Sequence, residues 1–183
     1  MTKHGLSEEP LGRLPGDPTE DERVRRMIRV DHAGEYGAVR IYEGQMSVLG
    51  PAPVIRRMAE QERRHLETFN GLMVQRRVRP TALLPLWHVA GFALGAGSAL
   101  MGKSAAMACT VAVEEVIDEH YAGQVAEIED DGLKQTLEAC RLEELEHRET
   151  ALAHGAELAP GYQGLTVVIK ACSRLAIWLS ERI

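Results

Sequence analysis

Two Glu-x-x-His pairs, each preceded at a similar distance by a lone glutamate, limit what this chain can fold into. Glu35 precedes Glu62 and His65 by 27 and 30 residues, and Glu114 precedes Glu144 and His147 by 30 and 33. Spacing of i, i+3 puts Glu and His on one face of a helix, so both side chains of a pair can reach the same ion. The lone glutamates fall a helix earlier, where they can bridge or complete the coordination. Four carboxylates and two imidazoles, delivered once per helix pair, form the donor set of a di-metal carboxylate site built between four helices.

Proline and glycine divide the chain into six segments. The first is expected from about Asp21, a plausible cap, to the Gly50-Pro51 break, and the second from about Pro53 to the arginines before Pro80. An apolar third covers roughly 82–101; the fourth runs from about Ser104 to Glu129, the fifth from about Gly132 to Glu157, and the sixth from Tyr162 to the end. Residues 1–20, rich in Pro, Gly and acids, read as a flexible arm, unlike a signal or transit peptide, with one domain over 21–183.

Within these segments the candidate ligands occupy core positions. On the first helix Glu35 lies on the stripe of Val24, Ile28, Val39, Tyr42 and Met46. On the second, Glu62 and His65 lie between Met58 and Phe69. Glu114 follows Met107 and Val111 and precedes Ile117 and Tyr121, and Glu144 and His147 follow Leu137 and Cys140. Buried carboxylates are costly unless paired, and four together repel one another. Two divalent cations carry the four positive charges that neutralise them. A single Glu-x-x-His is more often a surface pair. Here the spacing is duplicated and both copies fall on apolar stripes, whereas Glu60, Glu115, Glu119, Glu143 and Glu146 read as solvent-facing.

Composition agrees with an all-α chain. Leu, Ala, Glu and Arg dominate, aromatics are 4%, and 183 residues suffice for one domain with a sizeable core. A net charge of −6 with acids and bases mixed along the chain argues against nucleic acid as a partner. Cys109, Cys140 and Cys172 lie in apolar stretches without a CxxC and read as buried, reduced thiols. No thiolate stands at ligand spacing, so the donors suit iron or manganese, without excluding zinc, rather than an iron–sulfur cluster.

The run from Ala82 to Met101 is about as long as a bilayer span, roughly 20 residues. A crossing there would strand Glu62 and His65 on one side of the membrane and Glu114 on the other. Pro85, His88 and several glycines also interrupt it. A helix dipping into one leaflet or forming an oily entrance fits better, with Trp87 at the interface and Arg76, Arg77, Arg79 and Lys103 toward anionic headgroups. The alternative is a fully buried core helix. The last segment, with Leu165, Ile169, Cys172, Leu175, Leu179 and Ile183 on one side, suits packing, an oligomer contact or a second anchor equally.

The stretches VDHAGEYGAVRIYEGQM, QERRHLETFNGLM, PLWHVAGFALGAGSALMGKSAAMACTVAVEEVI, EELEH and HGAELAPGY…LAIWLSERI closely resemble the demethoxyubiquinone hydroxylase family, over essentially everything after residue 22. The resemblance implies a ferritin-like four-helix bundle with an added apolar helix and a C-terminal amphipathic helix. It also implies two iron ions, O₂ as co-substrate and NADH as a reductant. The reaction implied is hydroxylation of a polyprenyl benzoquinone ring, the penultimate step of ubiquinone biosynthesis. The setting implied is the cytoplasmic face of a bacterial inner membrane, or the matrix side of the mitochondrial one, with other ubiquinone-biosynthesis proteins as candidate partners. The family's ligand motif falls on Glu35, Glu62, His65, Glu114, Glu144 and His147, the set already picked out by spacing.

In one respect the chain departs from the family. An acid often stands directly before EELEH, where this chain has Leu142. If that acid supports a ligand, Asp31, His32, Asp118 and His120 are substitutes to examine. Tyr36, Tyr42 and Tyr121 are candidates for pocket or electron-relay roles, against the plainer reading as core tyrosines. No GxGxxG follows a strand, so electrons come from outside. Two rival readings share these features: a ferritin- or rubrerythrin-like oxidase, which has no use for the oily segment, and a non-catalytic quinone-binding scaffold.

Overall fold

Thr19, rather than Asp21, starts the first helix. Its hydroxyl accepts from Glu22 N (3.1 Å), and the Glu22 carboxylate accepts from Thr19 N (2.6 Å), a reciprocal cap of the Thr-x-x-Glu type. The computed structural model describes residues 17–183; most of the arm expected over 1–20 lies outside them. Helix α1 spans Glu20–Leu49, α2 Pro53–Gln75, α3 Leu84–Leu100, α4 Lys103–Glu127, α5 Asp131–Ala153 and α6 Tyr162–Ser180. No strand occurs among the described residues.

Most boundaries lie within a few residues of expectation, as local capping dictates. Asp130 caps α5 by accepting from Leu133 N at 3.0 Å. That helix ends at Ala153 instead of Glu157, because Gly155 adopts a left-handed φ of 83° and a short 3₁₀ turn, Ala156–Leu158, follows.

Helices α1, α2, α4 and α5 form the bundle, while α3 packs on α1 and α6 on α4. Two apolar clusters fill its ends. Tyr42, Ile55, Met58, Met107, Val111 and Ala151 belong to one; Val24, Ile28, Phe69, Tyr121, Leu137 and Cys140 belong to the other. Along each of the four helices the candidate ligands fall between these clusters, so an ionisable layer is closed off by apolar packing on both sides. This is an all-α, ferritin-like bundle with two accessory helices.

Helix α3 approaches α1 closely. A Cβ added at Gly95 or Gly44 would collide with the backbone of Ile41 or Phe92 respectively. Only Gly91, Gly95, Ser98 and Ala99 of α3 are buried, whereas Leu86, Val89 and Leu100 are exposed. It is therefore not a fully buried core helix. Nor is any helix among the described residues long and apolar enough to cross a membrane. Cys172 is exposed, unlike the buried Cys109 and Cys140, because the inward face of α6 is carried by Thr166, Ile169 and Ser180. Leu175 and Ile183 of the expected stripe accordingly face outward.

Candidate metal centre and the cavity beside it

All six residues marked by the spacing meet in the buried layer. They form two overlapping groups, Glu35, Glu62, His65 and Glu144, and Glu62, Glu114, Glu144 and His147. Within each group one donor atom per residue lies within 4.8 Å of the others. The carboxylates common to both groups are Glu62 and Glu144, from the two Glu-x-x-His pairs. Glu35 and Glu114 each belong to one group, so the lone glutamates stand at the two ends of the cluster.

Both imidazoles turn Nδ1 inward. His65 Nδ1 is 3.0 Å from Glu144 Oε1 and 3.4 Å from Glu35 Oε2; His147 Nδ1 is 3.0 Å from Glu62 Oε1 and 3.1 Å from Glu144 Oε2. Each lone glutamate is held by the tyrosine of the opposite half. Tyr42, seven residues after Glu35, donates to Glu114 Oε1 at 3.0 Å, and Tyr121, seven after Glu114, donates to Glu35 Oε1. Burial first, then the neighbouring carboxylates, push both phenols upward, which keeps them as donors.

The donor set fits a pair of divalent cations. Both oxygens of Glu62, Glu35 Oε2 and His65 Nδ1 are buried without an aligned hydrogen-bond partner among the described residues, although Glu62 Oε1, Glu35 Oε2 and His65 Nδ1 take part in the Glu–His ion pairs. Burial, and repulsion from Glu144, raise the Glu62 and Glu114 carboxyls well above their ordinary value. Burial also raises Glu35, against the opposing pull of His65. Glu144 is the exception: burial opposes ionisation, yet His147 and His65 together hold it down at about 2. One favoured anion among three disfavoured ones is a charge imbalance that divalent cations would offset. Carboxylate with imidazole suits iron, manganese or zinc.

Among the remaining candidates the structure divides. Tyr36 stands apart, its hydroxyl 2.6 Å from His88 Nδ1 on α3. Asp31 accepts from Gln124 Nε2 at 2.8 Å and lies 3.4 Å from His120 Nε2, so those two substitutes pair with one another. His32 meets Asn70 at 3.1 Å, and Asp118 accepts from Arg141 at 2.7 Å. Leu142 points outward and is 57% exposed. The acid that does approach a candidate ligand is Glu143, 3.3 Å from His65 Nε2. Its side chain is 39% exposed, in keeping with the solvent-facing expectation, and only the crossing of α2 and α5 shows that it also reaches His65.

A cavity of about 300 Å³ lies between α1, α3, α4 and α6. Its wall is almost wholly apolar and includes Gly34 and Val113, the chain neighbours of Glu35 and Glu114. Nothing lies within 4 Å of a Cβ added at Gly37, which faces the same space. Trp87 Nε1 donates to Ser180 Oγ at 3.0 Å and ties α3 to α6 across the cavity.

Residues 22–180 match the family model described as Ubiquinone biosynthesis protein COQ7. The chain is 55% identical to a 3-demethoxyubiquinol 3-hydroxylase of Rhodospirillum rubrum, over 93% of this chain and 84% of that protein. It is 57% identical to the human NADPH-dependent 3-demethoxyubiquinone 3-hydroxylase, mitochondrial, over 87% of this chain and 78% of that one. It is 44% identical to the 5-demethoxyubiquinone hydroxylase, mitochondrial, of Saccharomyces cerevisiae, over 86% and 77%. A six-residue donor cluster beside an oily cavity, and similarity of this extent, lead to one assignment: the chain belongs to the COQ7 family of ubiquinone biosynthesis proteins.

Proposed function

We propose that this chain is a di-iron monooxygenase that hydroxylates the demethoxyubiquinone ring. The observation that carries the reading is the buried four-glutamate, two-histidine cluster, backed by an apolar cavity that shares chain neighbours with Glu35 and Glu114. Glu62 and Glu144 would serve both iron ions, Glu35 and His65 one of them, and Glu114 and His147 the other. The bound iron pair supplies O₂ activation.

The protein's own contribution is binding, orientation and exclusion of water. Tyr121 and Tyr42 fix the two terminal carboxylates. The cavity takes the ring, and its glycines and alanines leave room beside α1. One oxygen atom enters a ring C–H bond and the other leaves as water, which consumes two electrons and two protons from outside. Relatives from human and other animals are named as NADPH-dependent, so the reductant class is a reduced nicotinamide nucleotide, NADPH or NADH.

The exposed apolar residues of α3 and α6, among them Val89, Leu100, Val168 and Trp178, form the face on which the prenyl tail and one membrane leaflet would lie. Arg77, Arg79 and Lys103 are exposed at the ends of α3 and would meet anionic headgroups, whereas Arg76 is committed to Asp130. The corresponding location is the inner membrane surface, cytoplasmic in a bacterium or matrix-facing in a mitochondrion.

Turnover of a short-chain demethoxyquinone by iron-loaded protein with a reductant, compared with Glu144→Ala, tests this proposal. Hydroxylation by the wild type and its loss in the variant is the expected result. Retained hydroxylation in the variant sinks the site assignment. Equal quinone binding by both proteins without turnover by either marks the scaffold.

A further inference from the structure

The two halves of the centre match in their inward donors and differ behind their histidines. With both Nδ1 atoms turned inward, each Nε2 faces away from the carboxylate cluster. His65 Nε2 is 3.3 Å from Glu143 Oε2. That same oxygen accepts from Gln61 Nε2 at 3.1 Å and lies 3.5 Å from Arg64 Nη2, so Glu143 is itself held in place. His147 Nε2 is buried and has no hydrogen-bond partner among the described residues. The residue before Glu62, which stands where Glu143 stands before Glu144, is the amide Gln61, and its NH₂ is spent on Glu143.

Coordination through Nδ1 fixes the tautomer that carries its proton on Nε2. At His65 that proton has a carboxylate to receive it, although the present approach is an ion pair without hydrogen-bond alignment. An acceptor there orients the ring and makes the imidazole a stronger donor to metal. At His147 neither effect is available. Resting on the metal reading above, we infer that Glu143 is a positioning residue for His65 and makes the two metal positions unequal. The Glu35–His65 position holds its ion more tightly and fills first.

Anaerobic calorimetric titration of the full-length metal-free protein with Fe(II) tests this, with Mössbauer spectra at one and two equivalents. Two binding steps at least tenfold apart are expected, with a single iron environment at one equivalent. Glu143→Ala weakens the tighter step by roughly 10–100-fold and leaves the weaker step in place. Glu143→Gln, which keeps the size and an acceptor oxygen but loses the charge, falls between. Exposed Glu146→Gln on the same helix changes neither step. Two equal steps in the wild type, or steps unmoved by both Glu143 substitutions, overturn the inference. Failure of the wild type to bind iron overturns the proposed di-iron function itself. Melting curves of each variant separate a lost fold from a lost acceptor.

Discussion

On the side of α1 that meets the bundle, Asp31, Glu35 and Tyr42 are buried among partners from α4 and the two Glu-x-x-His helices. On the side that meets α3 and the cavity, Gly37, Ile41 and Gly44 present almost no polar side-chain atoms. One helix therefore separates a layer that is electrostatically incomplete from a space that is chemically bland. Polar groups buried without partners call for a ligand of opposite charge, whereas an unfilled apolar cavity calls for an oily one. A hydroxylase of a lipid-soluble quinone needs both, one residue apart in the chain, as Gly34 and Glu35 are.

The largest effect should come from breaking the charged side alone. Glu144→Ala removes a carboxylate common to both metal groups and is expected to lower turnover by roughly 10³-fold or more. Iron content, read by metal analysis, should fall below two per chain. Breaking the bland side is the complementary experiment. Gly37→Leu fills open space and suits a helix interior better than glycine. It should reduce kcat/KM for the quinone by roughly 10–100-fold, a pocket-volume effect. Iron content should not change. Parallel loss of iron would show that the two sides are not separable.

How much of this was legible beforehand differs between the two sides. The buried donor cluster could be read because a carboxylate on an apolar stripe violates helix periodicity, and the violation was repeated at Glu35, Glu62, Glu114 and Glu144. The wall of the cavity could not be read. Gly34, Gly37 and Ala38 look like ordinary helix residues until α1, α3, α4 and α6 are placed around them. The apolar run over 82–101 drew attention for its hydropathy, but its half-exposed state depends on the close approach of Gly91 and Gly95 to α1. The Glu143 side chain is 39% exposed, in keeping with a solvent-facing reading; its approach to His65 was hidden because His65 comes from another helix. Cys172 was misread because periodicity fixes which residues share a face, but not which face turns inward.

Changing pH sharpens the contrast further. In the metal-free protein Glu35, Glu62 and Glu114 are raised, chiefly by burial, and His65 and His147 are raised by their carboxylate neighbours against the opposing effect of burial. These groups hold more protons folded than unfolded, so their contribution to stability is present at low pH and lost as pH rises through the raised values. Glu144 acts in the opposite sense, but its contribution is lost only as pH falls toward about 2. Thermal melts from pH 5 to 8 should therefore show the metal-free form losing stability as pH rises. The stabilisation given by bound iron should grow, since coordination requires the deprotonated carboxylates. A metal-free Tm that climbs over this range would contradict the electrostatic account.

Smaller effects are expected nearby. Tyr42→Phe and Tyr121→Phe each remove a hydrogen bond to a buried carboxylate, worth about 1.5–3 kcal/mol, and should lower iron affinity without abolishing it. Leu142→Asp places an acid directly before the Glu143-Glu144 doublet. Because that side chain faces solvent, stability should stay within about 0.5 kcal/mol and iron binding should not move.

The most direct test of the central claim uses iron-loaded protein, a reduced nicotinamide nucleotide, a short-chain demethoxyquinone and isotopically labelled O₂. Mass spectrometry of the product is expected to show one labelled oxygen atom in the quinone ring. Oxygen consumption without ring labelling would contradict the account and point to an oxidase.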